Sequence, residues 1–109
     1  MRRFLERGCT GFRWRQRFPE ASKTEIREFL DIFVGAFGYR QSWRLKFAPD
    51  DSIMQFYYIR YPLRGEPDNL ELEDLAVRLE ERYNVDVQKT WQEDITLGDL
   101  FTQTRRPAV

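Results

Sequence analysis

Leu72, Leu75, Ala76, Leu79 and Tyr83 fall at i, i+3, i+4, i+7 and i+11. That spacing puts all five on one side of an α-helix, whereas a strand would scatter them over both faces. Glu71, Glu73, Asp74, Glu80 and Glu81 lie largely off the stripe, so the segment reads as an amphipathic helix with an acidic outer side. Its ends are marked as well. Asp68 after Pro67 predicts an N-cap, and Glu71, three residues on, supplies the reciprocal partner. Asn84 predicts a left-handed C-terminal residue, after which Val85 and Val87 can return to the core. A helix of this length is marginal alone and draws its stability from packing, so the rest of the chain must supply a surface for the stripe.

A second helix supplies it. Ser22-Lys23-Thr24-Glu25 has the S/T-x-x-E form of a capping box, and Ile26, Phe29, Leu30, Phe33, Ala36 and Phe37 then recur at helical spacing up to Gly38. The spacing predicts a helix from about residue 23 to residue 37. Thr96-Leu97-Gly98-Asp99 signals a last helix, with Thr96 as cap, Leu97, Leu100 and Phe101 apolar, and Arg105, Arg106 and Pro107 as its end. Two regions are less clear. Phe12-Arg13-Trp14-Arg15-Gln16-Arg17-Phe18 alternates aromatic and polar residues with period two, which predicts a strand or an extended arm. Trp43-Arg44-Leu45-Lys46-Phe47 alternates in the same way. The stretch from Pro49 through Ile53, Met54, Phe56 and Tyr57 suits a short helix, yet Phe56 to Tyr61 would equally suit a strand. Residues 61–67, with two prolines and a glycine, read as a loop. The expected organisation is a basic, aromatic arm over 1–21 and a mainly α domain over 22–109.

Several function classes are excluded by what the chain lacks. It has 109 residues, the size of one domain. No histidine and one cysteine, Cys9, are present, so a disulfide within the chain is impossible and the usual nitrogen ligands of zinc are missing. A Ser-His or Cys-His nucleophile pair is impossible too. Cys9 as a lone nucleophile would need a depressed pKa and an acid partner. Asp50, Asp51, Glu93, Asp94 and Asp99 could supply carboxylates, but their spacing specifies neither a catalytic pair nor a Mg²⁺ site. No enzymatic activity and no metal are expected. No apolar run approaches a membrane span, and the N-terminus lacks the apolar core of a secretory signal, so the expected location is the cytoplasm.

The net charge of zero is a cancellation. Residues 1–27 carry +5, from eight basic against three acidic side chains, and residues 66–100 carry −8, from eleven acidic against Arg78, Arg82 and Lys89. Two surfaces of opposite sign steer different partners, or each other. One arrangement consistent with this is the basic arm lying on the acidic helix until a partner displaces it. An arginine-rich aromatic arm is also a form that touches nucleic acid, but the chain as a whole is not basic and no nucleic-acid motif accompanies it, so none is expected as partner.

The order of these signals resembles that of acyl and peptidyl carrier proteins. Phe37-Gly38 closes the first helix, Pro49-Asp50 lies in the following loop, Leu79-Glu80-Glu81-Arg82-Tyr83-Asn84 ends the acidic helix, and Ile95-Thr96-Leu97-Gly98-Asp99 begins the last. The likeness covers roughly residues 24–104 and is strongest after Asp68. It implies an acyl-carrier-like bundle of three to four helices. It also implies a loss, because the family carries Asp-Ser-Leu where this chain has Asp68-Asn69-Leu70. The family serine takes phosphopantetheine through a phosphodiester, and an asparagine amide has no hydroxyl to phosphorylate. No cofactor is therefore expected. In the family the acidic helix docks on basic patches of partner enzymes, which implies Glu71, Glu73, Asp74, Arg78, Glu80 and Glu81 as the partner-binding residues here. The partner class it implies is a lipid- or peptide-biosynthesis enzyme. The plain alternative for the same side chains is a solvated face, partly neutralised by i,i+4 pairs such as Asp74 with Arg78. Two further readings stand beside this one. Asp51-Ser52-Ile53 supplies a displaced Asp-Ser-aliphatic sequence, so a working carrier would bear phosphopantetheine on Ser52. A small regulatory or inhibitory protein would instead use the acidic face to mimic nucleic acid or another acidic ligand, with salt-sensitive binding to a basic protein.

Overall fold

Ser22 accepts from the Glu25 backbone N–H at 3.1 Å while the Glu25 carboxylate accepts from the Ser22 N–H at 3.0 Å, and this closed box starts the helix that organises the molecule. The computed structural model describes residues 6–60 and 70–105. Within them the protein is a mainly α bundle. Helix α1 spans Gly11–Arg17 and α2 Lys23–Phe37; a 3₁₀ helix follows over Gln41–Lys46. Then come α3 (Ile53–Arg60), α4 (Leu70–Tyr83), the single turn α5 (Val87–Thr90) and α6 (Leu97–Thr104). Gly38 ends α2 at φ 73°, and Asn84 follows α4 at φ 57°, both in the left-handed region that the end of each helix requires. Thr96 and Asp99 form a second capping box at the start of α6. No described helix is long and apolar enough to cross a membrane.

Helix α2 is the spine, because its aromatic stripe faces two clusters at once. Towards one end Phe29 meets Trp14 and Phe101 at ring-centroid distances of 6.1 and 5.2 Å, and Phe18 lies 4.8 Å from Phe101. Towards the other, Phe33 meets Phe37, Phe47 and Phe56 at 5.0, 5.1 and 5.7 Å. Tilted and edge-on pairs of this kind add to the burial of large apolar areas. Leu75 and Leu79 of α4 and Leu97 and Leu100 of α6 complete the core, with Val85 and Val87 tucked in behind α4.

Two expected extended segments are helical. Residues 12–18 alternate in composition, but Phe12 is 60% exposed and Trp14 is wholly buried, so the aromatics do not share a strand face. What governs is the spacing of Thr10, Trp14 and Phe18, which turns all three inward at four-residue intervals. The Trp14 indole N–H donates to the Phe47 carbonyl at 2.8 Å, fixing α1 against the loop after the 3₁₀ helix. This segment is thus part of the bundle and is not an extended arm. Residues 43–47 likewise do not form a strand. Among the described residues no strand edge exists to pair their backbone, and the 3₁₀ turn satisfies part of it internally, as in the bond from the Trp43 N–H to the Arg40 carbonyl at 3.0 Å. Of the two alternatives for residues 53–60, the helix is the one formed, burying Ile53 and Phe56 on one side.

Candidate interaction surface

The acidic helix presents its outer side as the stripe requires. Leu75, Ala76 and Leu79 are buried, while Glu73, Val77, Arg78, Glu81 and Arg82 are exposed and Asp74 and Glu80 half-buried. Leu70 opens the helix. The expectations placed on Asp68 and Asn69, and on the side chains of Leu70 and Glu71, lie outside the described residues.

The charges on this face fall into two groups. Asp74 and Arg78 pair at 3.0 Å, and Arg82 reaches across to Glu28 of α2 at 2.9 Å. Arg78 also lies over Gly35, where a Cβ would stand 2.7 Å from its Nη1. These three side chains are therefore engaged within the bundle. Glu73, Glu80 and Glu81 have no cation within ion-pair distance among the described residues. Val77 stands among them, 48% exposed. Among the described residues the face is thus a set of carboxylates without ion-pair partners around one apolar side chain.

Beside it lies a groove of about 460 Å³. Its apolar lining comes from Met54 of α3, Leu72 and Ala76 of α4, Val87 of α5 and Trp91, with Glu73 and Glu93 contributing carboxylates. The sequence offered no signal for this groove. Met54 lies in the ambiguous stretch and Trp91 in a region without periodicity, and only the packing of α3, α4 and α5 brings them together.

The remaining candidates are placed in structural roles. Asp51 is buried and receives a bidentate bond from Arg7 at 2.7 and 2.9 Å, together with the Ala48 N–H at 2.7 Å. Lys46 in turn donates to the Arg7 carbonyl. Arg17 lies between Asp50 and Asp99 at 3.4 and 3.3 Å. The N-terminal arginines Arg7 and Arg17 therefore engage the loop and the start of α6, not the acidic side of α4. Ser52 is half-buried and precedes α3. Its backbone is bridged to Thr96, flanked by bonds from the Ile53 N–H to Ile95 at 3.1 Å and from the Leu97 N–H to Asp51 at 3.0 Å. Cys9 is exposed and accepts from the Gly11 N–H at 3.4 Å.

Two groups elsewhere titrate abnormally. The Ser22 N–H, and after it Arg105 at 2.8 Å, holds the Glu25 carboxyl below its usual value. Burial pushes the Tyr83 phenol above its usual value against the opposing pull of Arg82, and the Tyr83 hydroxyl has no hydrogen-bond partner among the described residues. Neither faces the groove. The surface built by α4 and the adjoining groove can offer a partner negative charge around apolar contacts, which is a binding chemistry. No protein-family model, curated protein or solved structure matches the chain significantly.

Proposed function

We propose that this protein is a carrier-shaped module without the prosthetic-group serine, which binds a protein partner bearing a basic patch through the outer side of α4. The observation that carries the reading is the set Glu73, Glu80 and Glu81, without a cation in ion-pair distance among the described residues and beside the exposed Val77, while Asp74, Arg78 and Arg82 are engaged within the bundle. Unpaired carboxylates at such a surface raise association rates and select partners of opposite sign. The apolar side chain and groove beside them supply area that excludes water. Supporting the reading is an order of a long capped helix, a segment with a 3₁₀ helix and the short α3, the acidic helix, a short turn and a capped last helix. On that reading Asp68-Asn69-Leu70 occupies the attachment position without a phosphorylatable hydroxyl, and the partner class is a lipid- or peptide-biosynthesis enzyme.

A broad-specificity phosphopantetheinyl transferase is a probe of this surface. Wild type, Asn69→Ser, and Asn69→Ser combined with Glu73→Lys and Glu80→Lys are incubated with coenzyme A and weighed intact. The expected result is modification of Asn69→Ser alone, lost again on charge reversal. Modification of the wild type at Ser52 would replace the proposal with a working carrier. No modification of any variant would remove the carrier reading and leave a regulatory binding protein of another kind.

A further inference from the structure

Among the described residues some cations are held by carboxylates and others are not. Arg7, Arg17, Arg44, Arg78, Arg82 and Arg105 each hold a carboxylate at 2.7 to 3.4 Å. Arg13, Arg15, Lys23 and Arg27 have no carboxylate within ion-pair distance among the described residues. Three of these four, Arg15, Lys23 and Arg27, border a single groove of about 180 Å³ between α1 and α2. Gly11, Ile26 and Leu45 give the groove an apolar lining, and Phe12 stands at its wall with 60% of its surface exposed. The Arg13 guanidinium lies 5.9 Å from the centre of the Phe12 ring. We propose that this groove is a second docking site, opposite in sign to the outer side of α4, for an acidic segment of a partner protein that carries one aliphatic or aromatic anchor side chain.

Three features fix the chemistry of the occupant. The first is sign, since positive charge borders the groove from both helices. Lys23 is the first residue of α2, at the positive end of the helix dipole, where a cation is unfavourable and a carboxylate favourable. The one carboxylate of that first turn, Glu25, is taken up by the Ser22 N–H and Arg105, and an incoming carboxylate would add to it. The second is size, because 180 Å³ holds a single side chain and falls below the roughly 300–1,000 Å³ of small-molecule pockets. The third is the lining. A nucleobase seated on Gly11, Ile26 and Leu45 would have few partners for its polar edges, whereas a leucine or phenylalanine has no polar edge to satisfy. The zero net charge of the whole chain also disfavours a long polyanion. An apolar anchor flanked by carboxylates meets all three conditions. The inference is independent of the reading of α4.

The test is an amide-shift NMR titration of the full chain with a synthetic peptide in which one leucine is flanked by aspartates and glutamates. Saturable shifts are expected at residues 11–15 and 23–27. Arg15→Glu with Arg27→Glu is expected to weaken binding about tenfold or more, and Phe12→Ala about fivefold. All three side chains are exposed, and the two arginines have no carboxylate partner among the described residues, so the variants are expected to melt like the wild type. The same peptide with serine for leucine is expected to bind more weakly. The proposal is overturned by no saturable shift up to about 1 mM peptide, by variants that bind like wild type, or by a serine peptide of equal affinity. It is also overturned if oligothymidylate binds the same amides more tightly, which would assign the groove to nucleic acid. Concentration-dependent shifts of those amides without peptide would assign it to a second copy of this chain.

Discussion

Asp51 and Glu73 are both carboxylates of one small bundle, and they show what each part of it is built for. Asp51 lies where α1, the loop after the 3₁₀ helix and the start of α6 converge. It is enclosed by two bonds from Arg7 and one from the Ala48 N–H. Around it Trp14 donates to Phe47, Thr10 donates to Leu45 and Phe47, and the Gly98 N–H donates to Pro49 at 2.8 Å. Charge there is consumed in joining segments distant in sequence. Glu73 stands at an open groove with no cation in ion-pair distance among the described residues, flanked by the exposed Val77. A carboxylate with all its bonding satisfied inside the fold contributes to stability, and one left unsatisfied at the surface costs little and remains free for a partner. The residue type is shared, and the environment decides the role.

The largest expected break in this contrast is Trp14→Ala. It opens a cavity against Phe18, Phe29 and Phe101 and leaves the Phe47 carbonyl without its donor. A loss of about 3–5 kcal/mol is expected from urea unfolding. Asp51→Ala is expected to cost less, about 2–3 kcal/mol, because it strands Arg7 and the Ala48 N–H but Arg7 is partly open to water, which discounts the full cost of breaking a buried pair. Gly98→Ala comes next. A Cβ there would lie 2.9 Å from the Pro49 carbonyl oxygen, which is backbone and cannot swing away, so a loss of about 1–2 kcal/mol is expected in the same unfolding series.

Two smaller effects concern α4. Tyr83→Phe removes a buried hydroxyl without a partner among the described residues and is expected to raise stability by up to about 1 kcal/mol. The phenol's folded pKa is raised, so its contribution is complete below its usual value of 10.0 and is lost as pH climbs through the raised value. Wild type is therefore expected to lose stability on the alkaline side more steeply than Tyr83→Phe, as thermal melts above about pH 10 would show. Glu73→Gln, Glu80→Gln and Glu81→Gln together are expected to change stability by less than about 0.5 kcal/mol, since none has an ion-pair partner among the described residues. A large loss in that triple variant would mean that these carboxylates belong with Asp51, and the contrast would fail.

Much of the helical content was legible because its determinants are local. The box at Ser22 and Glu25, the stop at Gly38, the left-handed Asn84 and the cap at Thr96 each involve groups within a few residues, and all are formed. The i,i+4 pair of Asp74 with Arg78 was legible for the same reason. Residues 12–18 misled because alternation in composition is a strand signal only if both positions of the alternation face what it implies, and Phe12 and Trp14 do not. Among the surfaces, the acidic side of α4 could be read from the stripe. The capture of Arg82 by Glu28 of α2, the groove under Trp91 and the cationic groove at Phe12 could not.

By itself, then, the sequence determined where α2 and α6 begin and end, where α4 ends, which side of each is apolar, and that no histidine chemistry is available, since these depend on covalent composition and on bonds closed within one or two turns. The tertiary structure alone decided which charges are spent. Arg7 finds Asp51 across 44 positions, and Arg17 finds Asp99 across 82. Whether a carboxylate or a guanidinium is a strut or a contact for something else depends on a neighbour that only packing brings near, because ion pairing falls off within a few ångströms and takes no account of distance along the chain.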